Sequence, residues 1–162
     1  MMRDSRRRIV PLALGLAILG TLALAPVNAR TVTAVTWTLG GYVVSVEKTW
    51  TTVDNGIATL HQRGISIFAT LSGDFAGTTT VTMSMDTSQA TGSGTHRGEL
   101  TVATDTGTLG GRFSGTTTGF VTVQGSWNGN KGTGSFQGMQ IKADYAGGFE
   151  TFFTWEFSGL QS

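Results

Sequence analysis

The sequence predicts an all-β chain: a closed antiparallel up-and-down β-barrel of about eight strands, with a β-sandwich as the alternative. Three observations lead there. First, the 162 residues include 24 Gly, 2 Pro and only 13% charged side chains. Soluble domains usually carry about 25% charged residues, so a charge-rich helical bundle or coiled coil is excluded. Second, Thr is abundant, and Gly and Ser punctuate nearly every segment between β-branched and aromatic residues, the composition of strands and turns. Third, apolar side chains alternate with period two along most of the chain, and no segment carries a 3.6-residue stripe.

The chain opens differently. Met1 to Ala29 has the layout of an export signal: Arg3, Arg6, Arg7 and Arg8, then an apolar stretch from Ile9 to Ala25, then the small-residue site Val27-Asn28-Ala29. That stretch is shorter than the ~20 residues a spanning helix needs, and Pro11 and Pro26 interrupt its ends, so no stable membrane span is expected after cleavage. Ser5-Arg6-Arg7-Arg8-Ile9-Val10 also resembles a twin-arginine export motif. The expected location is therefore secreted, periplasmic or cell-envelope. Residues 30–162 remain as one barrel domain, long enough to bury a core without staples. They hold 7 basic and 9 acidic residues, a net −2 with no Lys/Arg cluster, which argues against nucleic acid as a partner. With 0 Cys there is no disulfide, thiolate metal site or cysteine nucleophile.

The strands follow in order. Thr31 to Leu39 sets Val35, Trp37 and Leu39 on one face. Tyr42 to Thr52 sets Tyr42, Val44, Val46 and Trp50 against Ser45, Glu47 and Thr49. Gly64 to Leu71 alternates Ile65, Ile67, Ala69 and Leu71 with Ser66, Phe68 and Thr70. Thr79, Val81, Met83 and Met85 oppose Thr80, Thr82, Ser84 and Asp86. Leu100 and Val102 oppose Glu99, Thr101 and Ala103. Strands are then read at Phe113 to Thr118, at Gly119 to Trp127, and through Met139, Ile141, Ala143 and Tyr145. The last carries Phe153, Trp155 and Phe157 on one face. Val53 to Gln62 fits a loop, a short helix or another strand. Asn128-Gly129-Asn130-Lys131-Gly132 is a hairpin signal. A barrel removes the exposed edges that such a sheet would otherwise have to protect.

A short repeat, Gly-x-aromatic-x-Gly, occurs four times, at Gly73–Gly77, Gly111–Gly115, Gly125–Gly129 and Gly134–Gly138. It reads as bends at which an aromatic closes a barrel end or packs over a Gly. The last copy lies in Gly132-Thr133-Gly134-Ser135-Phe136-Gln137-Gly138, which is followed by a strand and Tyr145-Ala146-Gly147. This resembles the Gly-Thr-Gly-x-Phe-x-Gly stretch of the allene oxide cyclase-like barrels, to which dirigent proteins and a group of small bacterial proteins are similar. Leu71-Ser72-Gly73-Asp74-Phe75-Ala76-Gly77 and Gly107-Thr108-Leu109-Gly110-Gly111-Arg112-Phe113 resemble the bacterial group. The resemblance spans roughly His61 to Gly147 and implies an eight-stranded antiparallel barrel with a largely apolar lumen. It permits a cyclase or isomerase that folds an apolar substrate, although the pocket Cys of the plant cyclases has no counterpart here.

Catalytic motifs are missing: no Gly-x-Ser-x-Gly elbow, no His-Glu-x-x-His and no phosphate loop. No catalytic residue is assigned, no cofactor is expected, and two His with no Cys leave no metal site. His61 and His96 sit in polar, turn-rich contexts; either could serve as a general base, but with no paired nucleophile pattern both read as surface histidines. Lys48 falls in phase with Tyr42, Val44, Val46 and Trp50, beside Glu47. Strict alternation points one of the pair into the lumen, where a charge must be paired or used, and a bulge would instead release Lys48 to water. The candidate ligand-binding set is Trp37, Glu47, Lys48, Trp50, Met83, Met85, Trp127 and Trp155, which would line either a core or a ligand-sized lumen.

The function expected first is that of an exported barrel binding a small apolar ligand in its lumen; the alternatives are a cyclase-like enzyme acting on an apolar substrate and, second, a structural or adhesive envelope module whose Thr-rich outer faces meet polymers. A charged residue and a cavity in the lumen favour the first two. A fully packed lumen favours the third.

Overall fold

The computed structural model describes residues 31–148 and 153–162. The export signal read at Met1 to Ala29 lies outside the described residues, as does the side chain of Phe153. The strands are β1 (Thr33–Asp54), β2 (Ile57–Gly73), β3 (Gly77–Ser88), β4 (Gly94–Thr104), β5 (Gly107–Thr118), β6 (Thr122–Gly132), β7 (Ile141–Gly148) and β8 (Phe153–Gln161), with one 3-10 turn at Gly134–Phe136. Each strand pairs antiparallel with the next, and β1 pairs with β8, so the sheet closes into a barrel. The seam runs from Thr33 opposite Gln161 to Gly41 opposite Phe153. Among the described residues, no helix is long and apolar enough to cross a membrane.

Alternation does what the sequence predicts over most of the ring. Val35, Trp37 and Leu39, Ile65 to Leu71 at odd positions, Val81, Met83, Leu100, Val102, Phe113, Trp127, Ala143, Tyr145, Trp155 and Phe157 form one buried core. Aromatic rings dominate it. Trp37 stacks on Phe157 at 4.7 Å and meets Trp127 edge-on at 5.7 Å, while Tyr145 stacks on Trp155 at 5.1 Å. Rings of this size fit because their inward neighbours are glycines. A Cβ at Gly129 would strike the Trp127 ring, and one at Gly125 would strike the Tyr145 hydroxyl as well as the Ser114 carbonyl. Large and small side chains thus alternate to fill the taper, as small barrels require.

The four aromatic repeats divide into two uses. Phe113 and Trp127 sit mid-strand in β5 and β6 and pack inward between glycines. Phe75 and Phe136 lie between strands and close one end of the barrel, 5.8 Å apart, with Phe75 edge-on to Trp37 at 5.1 Å. The turns at this end are tied together by Ser135 N–H donating to Thr106 O at 3.0 Å and by the paired hydroxyls of Thr108 and Thr133 at 2.8 Å.

Three readings need correction, and one left open is settled. Asn128 to Gly132 is no hairpin: it continues β6 against β5, and a bulge at the Gly110/Gly111 step absorbs Asn130. The β5–β6 turn lies instead at Gly119 to Val121, which the sequence reading had placed within a strand. Val53 to Gln62, for which the sequence admits loop, helix or strand, is strand on both sides of a turn at Asn55-Gly56, both left-handed (φ 49 and 79). Asn-Gly at the tip of two β runs is the sequence signal for such a turn. Thr31–Leu39 and Tyr42–Thr52 are one continuous strand, and its second half does not face a lumen. β8 leaves β1 after Gly41, so Tyr42, Val44 and Val46 are exposed on an overhanging β1–β2 hairpin.

Candidate functional site

The overhang is where the sequence-predicted set separates. Trp37, Met83, Trp127 and Trp155 are buried in the core, and Met85 is partly buried at its upper end. Glu47, Lys48 and Trp50 are not in the lumen; they stand on the overhang, Glu47 and Lys48 exposed. The end of β8 pairing at Gly41 is the cause, and two bulges then set which face of the overhang each side chain takes. One interrupts β1–β2 pairing between Val43 and Ser45, and a second interrupts β2–β3 pairing between Gln62 and Ile65, with Gly64 left-handed at φ 63. Each extra residue reverses the face on which the following side chains emerge.

The second bulge brings His61 opposite Asp86, with Trp50 opposite His61 and Lys48 opposite Arg63. A linked cluster results. His61 Nδ1 lies 2.6 Å from Asp86 Oδ1, and His61 Nε2 lies 2.7 Å from the Thr52 hydroxyl. Arg63 pairs with the same Asp86 oxygen at 2.7 Å and also donates to Met85 O at 3.0 Å. The Trp50 ring stacks on His61 at 5.0 Å and carries Lys48 Nζ at 4.9 Å and Arg63 Cζ at 5.1 Å. The Arg63 hydrogen bond holds the Asp86 carboxyl below its ordinary range; desolvation opposes this, and the His61 hydrogen bond reinforces it.

A second polar cluster lies inside. His96, read from sequence as a surface residue, is 2% exposed. It shares the inward phase of Leu100 and Val102, and counting back by two from those residues would have found it. Its Nε2 lies 2.6 Å from Tyr145 Oη and its Nδ1 lies 3.2 Å from Thr117 Oγ1, while Thr117 donates to Met85 Sδ at 3.7 Å. One tautomer gives each proton of this chain an acceptor: Tyr145 O–H to Nε2, His96 Nδ1–H to the Thr117 oxygen, and Thr117 O–H to sulfur. Burial pushes His96 down to about 4 and Tyr145 upward, so both are neutral at pH 7. Nearby glycines leave the space: a Cβ at Gly115 would meet both His96 and the Tyr145 hydroxyl. The indole N–H groups of Trp37 and Trp127 and the Thr87 hydroxyl are buried without a hydrogen-bond partner among the described residues.

The outer wall offers the third arrangement. Strand register places Ser84, Arg97, Ser114, Ser126, Asp144, Ser158 and Thr36 side by side across seven strands. The neighbouring row continues through Thr95, Thr116, Gln124, Ala146, Glu156 and Thr38. Two broad concavities follow this wall, one over Thr36, Ser114, Gln124, Ser126 and Glu156, the other over Arg97, Glu99, Arg112, Asn128 and Lys142. A tilted-strand barrel narrows at its waist, and short side chains there leave the backbone open to approach. Among the described residues no three His, Cys, Asp or Glu side chains group to hold a metal. No protein-family model matches the chain, and no curated protein does.

Proposed function

We propose that this chain is an exported barrel that works through its outside, an adhesive module binding a polyhydroxylated polymer along the polar rows of its outer wall. The observation that carries the reading is the division of labour between the two faces. Aromatic rings fill the interior, whereas the concave surfaces lie outside on in-register Ser, Thr, Gln, Asn and charged side chains. Hydroxyl, amide and carboxylate groups at strand spacing match the donors and acceptors of a glycan, and water can mediate the remainder.

The test is co-sedimentation with insoluble chitin, cellulose and peptidoglycan in parallel. Ser126 is exposed at the centre of the wall, so Ser126→Trp is expected to change stability by no more than about 0.5 kcal/mol. It should nevertheless weaken retention tenfold or more. Retention of neither protein, or of both alike, would overturn the reading.

A second reading, a small ligand in the lumen, is favoured by the unpartnered Trp37 and Trp127 N–H groups. An unsatisfied buried donor costs roughly 1–3 kcal/mol, which an acceptor-bearing apolar ligand would recover. The cyclase reading needs the same space. Denaturing extraction of the exported protein separates the two accounts, since only an occupied lumen yields a stoichiometric small molecule.

A further inference from the structure

The overhang cluster has the connectivity of a hydroxyl nucleophile, a base and an orienting acid. The Asp86 carboxylate can only accept, so His61 Nδ1 carries a proton toward it at 2.6 Å. In the neutral ring Nε2 is then a free base, and the Thr52 hydroxyl stands 2.7 Å from it. Asp86 is itself held by Arg63 at 2.7 Å, and the imidazole plane is fixed by stacking on Trp50, 19° from parallel. Base and hydroxyl within hydrogen-bond reach, with the base oriented by a third group, is the geometry that activates a hydroxyl for acyl transfer. Thr52 is exposed, so an acyl donor can reach it, and Lys48 and Arg63 are the positive groups beside the same ring.

We propose that Thr52 is an acyl acceptor for activated acyl esters, with His61 as general base and Asp86 as the residue that positions His61. Thr52 Oγ1 bonds to the acyl carbon while its proton passes to His61 Nε2. The carbon–oxygen bond to the leaving aryloxide breaks, and the aryloxide takes that proton. Water, deprotonated by the same nitrogen, then attacks the Thr52 ester and releases the carboxylic acid, restoring the hydroxyl. Thr52 is exposed, so water rather than an enclosed site solvates the oxyanion, turnover is slow and the acyl-enzyme accumulates.

The probe is p-nitrophenyl acetate, followed by nitrophenolate release and by mass spectrometry of the peptide containing Thr52. The expected result is a burst with an acetyl group on Thr52. Thr52→Ala removes both, Thr52→Ser keeps both, and His61→Ala slows the burst by about 10²–10⁴-fold, the usual worth of a general base. Asp86→Asn should lower kcat with little change in KM. Thr52→Ala alters an exposed hydroxyl, and its unchanged circular dichroism would show that the fold is intact. Acetyl groups found only on Lys48, Lys131 or Lys142, or release unchanged in Thr52→Ala, would overturn the assignment.

Discussion

Trp127→Ala is expected to destabilise the barrel by about 3–5 kcal/mol, toward the upper end for a core tryptophan. The reason lies in its surroundings. The Trp127 ring covers Gly129 and meets Trp37 edge-on at 5.7 Å, and a glycine has no side chain that could move into the hole. Domains of this size hold only about 5–15 kcal/mol in total, so the variant would sit close to unfolding at room temperature. Guanidinium titration would measure the loss. Ser126→Ala is the control: Ser126 is exposed next door in the chain and points to the opposite face, so its change should stay within about 0.5 kcal/mol.

Acid is expected to act through His96. Its value falls from 6.5 in the unfolded chain to about 4 in the barrel because burial penalises the imidazolium. The unfolded chain therefore binds a proton that the folded one refuses. The stability tied to this residue is fully present above about 6.5, declines as pH falls through the interval, and is lost below about 4. Linkage makes the loss about 3 kcal/mol. Asp86 adds a separate loss at lower pH. Its carboxyl is held below the ordinary range first by the Arg63 hydrogen bond, so that stability is present above the carboxylate range and disappears as the group protonates. Denaturation midpoints at a series of pH values would show the steeper fall between 6.5 and 4 in the parent. His96→Phe should flatten that interval, although it lowers stability at pH 7 by leaving Tyr145 Oη and Thr117 Oγ1 without their partner. An unchanged slope in His96→Phe would assign the acid response elsewhere.

The ring itself was legible because burial enforces period two on each strand separately. Val35, Trp37 and Leu39, or Val81 and Met83, need only one buried face to declare themselves, and a register slip of one residue would turn every one of them outward. The overhang was not legible, since nothing within Tyr42 to Thr52 states how long the neighbouring strand β8 is. Its alternation is as regular as that of a core strand, yet β8 pairing ends at Gly41. Lys48 could be placed only by knowing of the bulge at Val43/Ser45, which a sequence of Val and Ser does not announce. The second bulge did leave a trace in Gly64, whose left-handed backbone any other residue would resist. The Thr52–His61–Asp86 cluster spans three strands and depends on that bulge, so no local motif could show it. His96 was different: its inward phase was readable, and only the polar turn residues around it suggested a surface position.

The most direct test of the sealed ring uses the absence of cysteine. Thr36 in β1 stands opposite Ser158 in β8, and direct antiparallel partners have Cα atoms about 4.5–5.5 Å apart, within disulfide range. Thr36→Cys with Ser158→Cys places the chain's two thiols across the seam. If the first and last strands close the barrel, mild oxidation of the folded protein links them quantitatively and, by constraining a loop of most of the domain, raises stability by about 4–5 kcal/mol. If both thiols stay free and react with alkylating reagent in a protein that is otherwise folded, the strands do not meet and the barrel is open.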